Sequence, residues 1–443
     1  MITTAPRRRP VIFRRHPSLF AVAAVLLSIA CTGRFRGPAP GLSGPPALRV
    51  DFDSAAAAAR LQWEVAEMAD FRRYRVERSV GQETRLVAEL GDRADTAFVD
   101  AGLLGNTVYR YRVVCQYGPA GEEAQSLAST VVEGGIHRLV NTWSLPPGFA
   151  PTRLVVHGGT VAVVGAGSGR VARFDRGGNP LGSWTFTAAP LACLETGTLD
   201  GPGVAADGEG GLYVVYNVLG GGVPPEARWT KFAADGQIEW TRPLEAVFAR
   251  HIAIDGERLY VESISQLHQF GRDGEPLSEY RVPALLVSSL RFWKGAFAAL
   301  VEPLNVSQLG WEAPRLVLYG GVDRAQVSQT IGRDPLSERD RGAGLLHRPS
   351  DFATTTDPDR AFVVNAGYSR IEVFREGAYL TRWGRAGDGD GEFRFTGSFR
   401  VVDDMATGST RQREVVAGGI ARDSQGFLYV ADTFNDRIQK FQP

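Results

Sequence analysis

The strongest constraint on the fold is a short segment that occurs six times, in which an aromatic residue follows an Arg by four positions. Apolar and polar residues alternate between them, as in RVARF, RIEVF and RIQKF. Alternation of this kind over five residues predicts a β-strand with one buried face. The copies are Arg170/Phe174, Arg228/Phe232, Gln266/Phe270 (with Gln in the Arg position), Arg315/Tyr319, Arg370/Phe374 and Arg437/Phe441.

Each copy belongs to a longer repeat. The last one predicts three strands, at 420–422, 428–431 and 437–441, separated by turns rich in Asp, Asn and Gly. Other copies add a fourth strand with a late aromatic residue; the fourth copy has Thr330 near that place. These aromatic residues are Trp184, Trp240, Tyr280 and Trp383. Strands repeated at intervals of roughly 40 to 65 residues are typical of a β-propeller, in which each repeat forms one blade.

The sequence also indicates how the ring of blades closes. The last copy ends at Pro443 without a fourth strand, whereas a spare strand containing Trp143 precedes the first copy. We predict that residues 138–145 form the outer strand of the final blade, so that strands from both ends of the propeller meet at the seam. The prediction is six complete blades within residues 137–443.

Three segments resemble the NHL repeat: LYVADTFNDRIQKF (428–441), FVVNAGYSRIEVF (362–374) and the Gly-rich run WGRAGDGDGEF (383–393). The resemblance implies a six-bladed propeller in which the motif Arg and Asp tie strands and neighbouring blades together. It also implies that the aromatic residues fill the space between blades. In the other copies the Asp432 position holds Gly165, Tyr216, Ser263 or Asn365.

Residues 47–134 show a different pattern, with seven short alternating strands that predict a β-sandwich. Trp63, Leu103 and Tyr109 resemble the conserved positions of a fibronectin type III domain, which implies a spacer or a binding module. The predicted fold class is therefore all-β: a fibronectin type III-like β-sandwich followed by a six-bladed β-propeller.

The first 31 residues predict a targeting segment. Five Arg residues precede an apolar run at 18–30, which is too short for a membrane-spanning helix and suits a signal sequence. Cys31 follows directly, so the segment resembles a bacterial lipoprotein signal. That resemblance implies lipidation of Cys31 and an exported protein anchored in the envelope, at the outer membrane or in the periplasm. Ordinary cleavage near Ala30 to a secreted protein, or an uncleaved anchor, are the alternatives.

Residues 32–46 are rich in Pro and Gly and predict an extended tether. Lys plus Arg and Asp plus Glu both number 49, which gives no electrostatic reason to expect nucleic acid as a partner. Cys115 and Cys193 fall in different predicted domains and are expected to be free thiols.

The sequence contains no nucleophile elbow, zinc-protease helix, phosphate-binding loop or paired Cys-x-x-Cys, and we predict no catalytic residues and no cofactor. Asp388 and Asp390 superficially resemble a calcium loop, but the later ligands are missing and the inter-blade Gly run explains them better.

The central channel is the remaining place for chemistry. The innermost strands are predicted to begin there with Arg153, Gly203, His251, Ser289, Asp351 and Gly419. His251 and Asp351 are the candidate metal ligands, with His347 or Asn217 as additions, and Arg153 and Ser289 as further polar candidates. A channel lined by solvated polar residues without a metal is the alternative, because three or four ligands are normally needed.

Together these features predict an exported, membrane-tethered binding or scaffolding protein of a bacterial envelope, which recognises a protein, peptide or glycan through propeller loops. Adhesion or envelope assembly would differ only in the partner. A metal-dependent propeller hydrolase or lyase with its site at the channel is the alternative from another class. Among the long inter-strand linkers we favour 394–416 as a binding loop and expect a small hairpin there; the others are 191–203, 217–227, 302–314 and 333–347.

Overall fold

The computed structural model describes residues 46–442, all within the unit Ser43–Pro443. The predicted signal at 1–31, with Cys31, and the tether up to residue 45 lie outside the described residues. The internal gaps are 54–55, 81–82, 104–107, 136, 167–168, 186–191, 194–198, 219–225, 245–248, 264–265, 282–285, 303–313, 320–326, 334–341, 343, 357–358 and 405–408.

The N-terminal part is a pair of sheets that share one apolar core. Its strands are β1 Leu48–Asp53, β2 Ala58–Trp63, β3 Phe71–Val80, β4 Glu83–Leu90, β5 Ala97–Ala101, β6 Val108–Tyr117, β7 Gln125–Ala128 and β8 Val132–Gly135. One sheet has the order β1-β2-β5; the other has the order β4-β3-β6-β7, with β8 also paired to β6. Trp63 packs edge-on against Tyr74 at 5.5 Å, and Tyr111 donates a hydrogen bond to Asp100 at 2.7 Å. Cys115 is a buried free thiol in this core.

The rest of the described chain is built mainly from short antiparallel strands. They are β9 Arg138–Ser144, β10 Pro151–His157, β11 Thr160–Gly165, β12 Arg170–Asp175, β13 Pro180–Thr185, β14 Ala192–Cys193, β15 Leu199–Asp200, β16 Gly203–Ala206, β17 Leu212–Val218, β18 Glu226–Phe232, β19 Ile238–Pro243, β20 His251–Asp255, β21 Arg258–Ser263, β22 Gln266–Gly271, β23 Pro276–Arg281, β24 Leu286–Trp293, β25 Ala296–Glu302, β26 Arg315–Tyr319, β27 Val327–Ile331, β28 Asp351–Thr356, β29 Asp359–Asn365, β30 Arg370–Arg375, β31 Ala378–Trp383, β32 Thr396–Asp404, β33 Ser409–Val416, β34 Gly419–Arg422, β35 Leu428–Asp432 and β36 Arg437–Gln442. Two 3-10 turns, Ala366–Tyr368 and Thr433–Asn435, follow β29 and β35.

Within the described residues these strands form seven four-stranded sheets, of which six form a ring and are numbered here along the chain. Sheets 1 to 5 are β10–β13, β16–β19, β20–β23, β24–β27 and β28–β31, and sheet 6 has the order β34-β35-β36-β9. The first strands of the sheets contact one another in a closed cycle, β10 to β16, β20, β24, β28, β34 and back to β10. A closed cycle of such sheets around a central channel is a β-propeller.

Two glycines permit the inner strands to approach closely. A Cβ atom on Gly419 would lie 2.8 Å from the carbonyl oxygen of Thr152, and one on Gly203 would lie 2.6 Å from that of Arg250. Both obstacles are backbone atoms of the neighbouring sheet, so neither can rotate away. Glycine at these positions therefore fixes the spacing between sheets 6 and 1 and between sheets 2 and 3.

Sheet 6 joins distant parts of the chain. β9 pairs antiparallel with β36, so that Trp143 lies opposite Ile438. The Trp143 ring is buried, 5.7 Å from the ring of Tyr429 in its own sheet and 5.8 Å from that of Phe174 in sheet 1. This single side chain thus contributes both to the seam and to the contact between the last and first sheets.

The register shows how the fourth strands of sheets 2 and 4 differ from those of the other sheets. In sheet 1 the late aromatic Trp184 pairs with the second residue of the repeated segment, Val171. In sheet 2 the equivalent pair is Arg242 with Trp229, so Trp240 lies two residues before this place on β19. Trp240 packs edge-on against Trp229 at 5.0 Å. In sheet 4 the fully buried residue is Ile331 rather than Thr330. A bulge between the third and fourth strands occurs at the equivalent place in all six sheets, so the two departures lie in the sequences of β19 and β27 themselves.

The Arg of the last repeat ties neighbouring sheets together. Arg437 Nε donates to Asp432 at 2.7 Å, and its Nη atoms donate to the carbonyl oxygens of Asp388, Gly389 and Glu392 at 2.6 to 2.9 Å. The buried Asp432 carboxylate also accepts from the Arg394 amide at 2.6 Å. The Gly-rich run after sheet 5 is therefore bound to sheet 6 by charge-assisted hydrogen bonds.

The N-terminal sheets pack against the outer strand of sheet 5 through β1 and β8. Arg382 donates to Asp51 at 3.0 Å, and Glu133 accepts from Arg375 at 3.0 Å and from Arg110 at 2.7 Å. A Cβ atom on Gly134 would lie 2.2 Å from the Phe52 ring, which shows how closely β8 lies against the core of this part.

Candidate functional site

The residues predicted to begin the inner strands close one end of the channel. Arg153, which is 6% exposed, extends from sheet 1 across the channel and donates to the carbonyl oxygens of Ser350 at 2.8 Å and Ser288 at 2.6 Å. These acceptors belong to sheets 5 and 4, on the far side of the ring. We call the buried layer formed by Arg153, His251, Ser289 and Asp351 the septum.

Asp351 is the centre of the septum and is completely buried. Its carboxylate accepts from Ser289 Oγ at 2.6 Å, from Arg291 Nη2 at 3.1 Å and from the backbone N–H of Ile420 at 3.0 Å. Donors from sheets 4 and 6 thus meet on one carboxylate of sheet 5. Such a set of donors offsets the cost of burying the charge, and it links three sheets at the channel.

His251 connects sheet 3 to sheet 4. Its Nε2 lies 2.8 Å from the carbonyl oxygen of Val287, which can only accept, so this nitrogen carries the proton. Burial first, and then the nearby charges of Arg153 and Arg250, lower the pKa of His251 well below its ordinary value. Arg250 is itself buried and paired with Glu262 at 2.6 Å. His251 is therefore a neutral hydrogen-bond donor at neutral pH.

The structure brings together four of the sequence candidates, Arg153, His251, Ser289 and Asp351, but leaves the two proposed additions elsewhere. The His347 ring stacks on Tyr368 at 5.0 Å, and Asn217 donates to the carbonyl oxygen of Ala249 at 3.0 Å. Within the described ranges, no group of three or more His, Cys, Asp or Glu side chains is placed to hold a metal ion.

Beyond the septum the channel widens into a cavity of about 280 Å³, which we call the chamber. All six inner strands line it, mostly with small or aliphatic side chains. Two residues further along each inner strand lies a second layer, which we call the Arg291 layer. It consists of Arg291, Val155, Ala205, Ala253, Ala353 and Ala421. The lining residues nearer the mouth, such as Phe292 and Thr354, are half-buried. The chamber is thus accessible from the end opposite the septum.

Sheet 3 holds a hydrogen-bonded Ser–His–Glu arrangement that the sequence analysis missed. Ser263 Oγ lies 2.9 Å from His268 Nε2, and His268 Nδ1 lies 3.3 Å from a carboxylate oxygen of Glu279. The order of the three side chains is that of a nucleophile, base and orienting acid, but the Glu279 side chain is 62% exposed and its contact with His268 is long. However, Ser263 is only 1% exposed, and it occupies the position that Asp432 has in the last repeat. Aligning Ser263 and His268 with Asp432 and Gln439 would have revealed the pair.

A second feature at the septum end is a sheet formed by two of the predicted insertions. β32 and β33 form an antiparallel hairpin within 394–416, and Ala192 of β14 pairs in parallel with Val402 of β32. The order is β15-β14-β32-β33, and we call this the auxiliary sheet. Val401 and Val415 pack with Ala150 and Ala166 of sheet 1 in a common apolar cluster. The auxiliary sheet is therefore attached to the propeller by its own small core.

Another cavity, of about 350 Å³, lies where the N-terminal sheets meet sheet 5. Four arginines line it together with acidic residues: Arg60, Arg370, Arg382, Arg385, Asp51, Asp390 and Glu392. Arg382 pairs with Asp51, and Arg385 pairs with Glu392 at 2.7 Å. Arg370 pairs with Glu372 at 2.5 Å, so at least three of the four arginines are engaged in ion pairs, and the groove serves as a joint between the two parts of the chain.

No protein family profile matches the chain, and no curated protein matches it. Within the part of the chain that the structure describes, no helix is both long and apolar enough to span a membrane.

Solved structures with a similar arrangement include an auxiliary nutrient binding protein from Bacteroides thetaiotaomicron, at 12% identity over 90% of this chain and 98% of that one, with a TM-score of 0.42. Another auxiliary nutrient binding protein, from Bacteroides ovatus, is 12% identical over 87% and 94% of the two chains, with a TM-score of 0.43. The Pan2 WD40 domain of Neurospora crassa is 11% identical over 67% and 91%, with a TM-score of 0.40. Likeness at this level carries no argument about function, and the β-propeller assignment rests on the ring of sheets described above.

Proposed function

We propose that the chain is an exported binding or scaffolding protein of a bacterial envelope, in which a fibronectin type III-like spacer carries a six-bladed, NHL-like propeller. The observation that carries the proposal is the auxiliary sheet. Two insertions separated by about 200 residues of chain fold together into one sheet, and Val401 and Val415 of that sheet share an apolar cluster with Ala150 and Ala166 beside sheet 1. A connecting loop does not need such a core, whereas a recognition surface needs fixed geometry.

The partner we propose is a protein, peptide or glycan that contacts the auxiliary sheet. Its strand β33 lies at the edge of the sheet, and within the described residues no further strand pairs with its outer side. An exposed edge can accept an extended peptide through backbone hydrogen bonds. The residues of β33 at 411, 412 and 414 are exposed, which leaves room for such a partner.

The test is to replace residues 396–416 by a short Gly/Ser linker and to compare partner recovery from envelope extracts. We expect the partner to be lost while the circular dichroism spectrum of the propeller is retained. The matched control replaces Val80 and Glu83, two exposed residues at the facing ends of β3 and β4, by Ser, which should leave recovery unchanged. Equal recovery by the hairpin-replaced protein and the intact protein would remove the auxiliary sheet as the binding surface.

We also propose that the chain reaches the envelope through its N-terminal signal and is lipidated at Cys31. The sequence of this segment supports the proposal. Cys31→Ser should abolish incorporation of a labelled fatty acid and release the protein from the membrane fraction. Retention of the label would refute lipidation at Cys31.

The alternative is a metal-dependent hydrolase or lyase with its site at the channel. We propose instead that the septum is structural and needs no metal, because its donors and acceptors already bind one another across the sheets. Elemental analysis of purified protein discriminates between the two. Stoichiometric zinc or calcium that is lost in His251→Ala would favour the enzyme.

A further inference from the structure

Two guanidinium groups lie in the wall of the chamber, and no Asp or Glu is among its described lining residues. Arg291 is paired with Asp351 at 3.1 Å behind the wall, whereas Arg422 carries the second charge. Three carboxylates lie one residue beyond the lining. Asp207 accepts from the Gly211 amide at 2.7 Å, Asp423 accepts from the Phe427 amide at 2.9 Å, and Asp255 is exposed to solvent.

Both arginines retain donors that the protein does not use. Arg291 donates to Asp351 and to the Ile420 carbonyl oxygen through Nη2, and to the Phe352 carbonyl oxygen through Nε. Its Nη1 makes no hydrogen bond to the described residues. Arg422 makes neither a hydrogen bond nor an ion pair within the described chain, although it is half-buried at the chamber wall. Guanidinium groups with free N–H donors are suited to planar anions.

A neighbouring arginine shows that positive charge is not balanced on this side of the propeller. Arg360 lies at the start of β29, and its pKa is lowered first by burial and then by Arg375, with Arg422 acting in the same direction. Glu133 opposes this shift. Bringing an anion to Arg422 would reduce this repulsion.

The shape and the remaining walls narrow the class of ligand. Four of the inner strands place Ala in the Arg291 layer, which leaves about 280 Å³, and aliphatic side chains such as Val155 and Ile252 complete the walls. This volume is at the lower end of the range of small-molecule sites, which are mostly apolar with a few placed polar groups. A space of this volume suits a small organic ligand better than a bare inorganic ion.

We propose that the chamber binds a small organic carboxylate, whose carboxylate group contacts Arg422 and Arg291 while its apolar body lies against the alanine layer. This site goes beyond the proposed recognition surface, because the auxiliary sheet lies at the septum end and the chamber opens at the other. The two proposals therefore fail independently.

The experiment is isothermal titration of the purified chain with matched pairs of ligands: benzoate and benzamide, hexanoate and hexanamide, and inorganic phosphate. We expect at least one carboxylate to bind with one-to-one stoichiometry and at least about tenfold more tightly than its amide, because only the ionised ligand makes charge-assisted hydrogen bonds with the guanidinium groups. Arg422→Gln should weaken that binding by at least about tenfold. The matched control Arg138→Gln, at an exposed site on β9, should have no effect.

A second variant tests the volume separately from the charge. Ala206→Phe places a large side chain at a half-exposed lining position and should abolish binding while the melting temperature stays near that of the intact protein. The variant lacking residues 396–416 should still bind the carboxylate. The proposal is overturned if no carboxylate binds more tightly than its amide, if Arg422→Gln binds as well as the intact chain, or if phosphate binds more tightly than every carboxylate.

Discussion

Truncating Trp143 to Ala should weaken the joint between sheets 6 and 1 more than any other single change in β9. The side chain is 6% exposed and packs on Tyr429 and Phe174. A Cβ atom on Gly178 would lie 2.2 Å from its ring, so the indole also lies directly against a turn of sheet 1. Removing a buried Trp leaves a cavity that the β-strands around it cannot fill, and costs about 3–5 kcal/mol.

Urea unfolding followed by circular dichroism measures the loss, and amide hydrogen exchange locates it. We expect Trp143→Ala to lower the free energy of unfolding by that amount and to increase exchange first in β9 and β36. Val140→Ala is the matched control, because Val140 lies on the same strand but is 48% exposed and should change stability by less than about 0.5 kcal/mol. The reasoning fails if Trp143→Ala costs less than about 1 kcal/mol, or if exchange rises equally in all sheets.

Three further outcomes follow from individual side chains. Gly419→Ala should cost about 1–3 kcal/mol in urea unfolding through overpacking against sheet 1, whereas Gly91→Ala, with nothing within 4 Å of the added atom, should be neutral. Burial, and then Arg360, lower the pKa of His137 to about 3 from an ordinary 6.5. The unfolded chain therefore binds this proton more readily than the folded protein, and the free energy of unfolding decreases as the pH falls below 6.5. Between pH 7 and 5 that loss is about 2 kcal/mol, and His137→Phe should show a correspondingly smaller acid destabilisation. Serine-directed fluorophosphonate probes should leave Ser263 unlabelled, because its hydroxyl is buried; labelling there would favour a hydrolase.

The propeller could be predicted from the sequence because its signals are local. Each Arg-to-aromatic segment predicts a strand from five residues, and repetition then predicts the ring. The late aromatic at Trp143 carries the same kind of local signal for β9. In sheet 2 the residue opposite Trp229 is Arg242, so Trp240 lies two residues before the place that Trp184 has in sheet 1. The spacing of aromatic residues in the sequence did not show this difference.

The sequence predicts where the septum residues lie, but it does not predict which groups they bind. Aligning the repeats places Arg153, His251, Ser289 and Asp351 at equivalent starts of inner strands. Their partners, however, are mostly backbone groups from other sheets, such as the carbonyl oxygen of Ser350, which is 197 residues from Arg153. A sequence lists side chains, and it does not show which carbonyl oxygen a guanidinium will reach.

The auxiliary sheet shows the same limit for strand pairing. The apolar run within 394–416 predicts a hairpin, because both strands lie close together in the chain. The parallel pairing of Ala192 with Val402 depends on the ring having already brought two distant connections to the same end. Non-local pairings of this kind carry no periodic signal of their own.

The direction of the strands explains why the two proposed sites occupy opposite ends of the channel. Each inner strand begins at the septum and runs toward the chamber, and the next three strands of the sheet alternate in direction. The connections between second and third strands therefore lie at the septum end. The connections from a fourth strand to the first strand of the next sheet lie at the same end. All five long insertions are connections of these two kinds, including 191–203 and 394–416. The turns between first and second strands lie at the chamber end, and they are short, as at 157–160.

Insertions can therefore change the recognition surface without obstructing the chamber, while the septum separates the two. A ligand in the chamber would reach the auxiliary sheet only through the packed septum, so we expect binding at the two ends to be energetically independent.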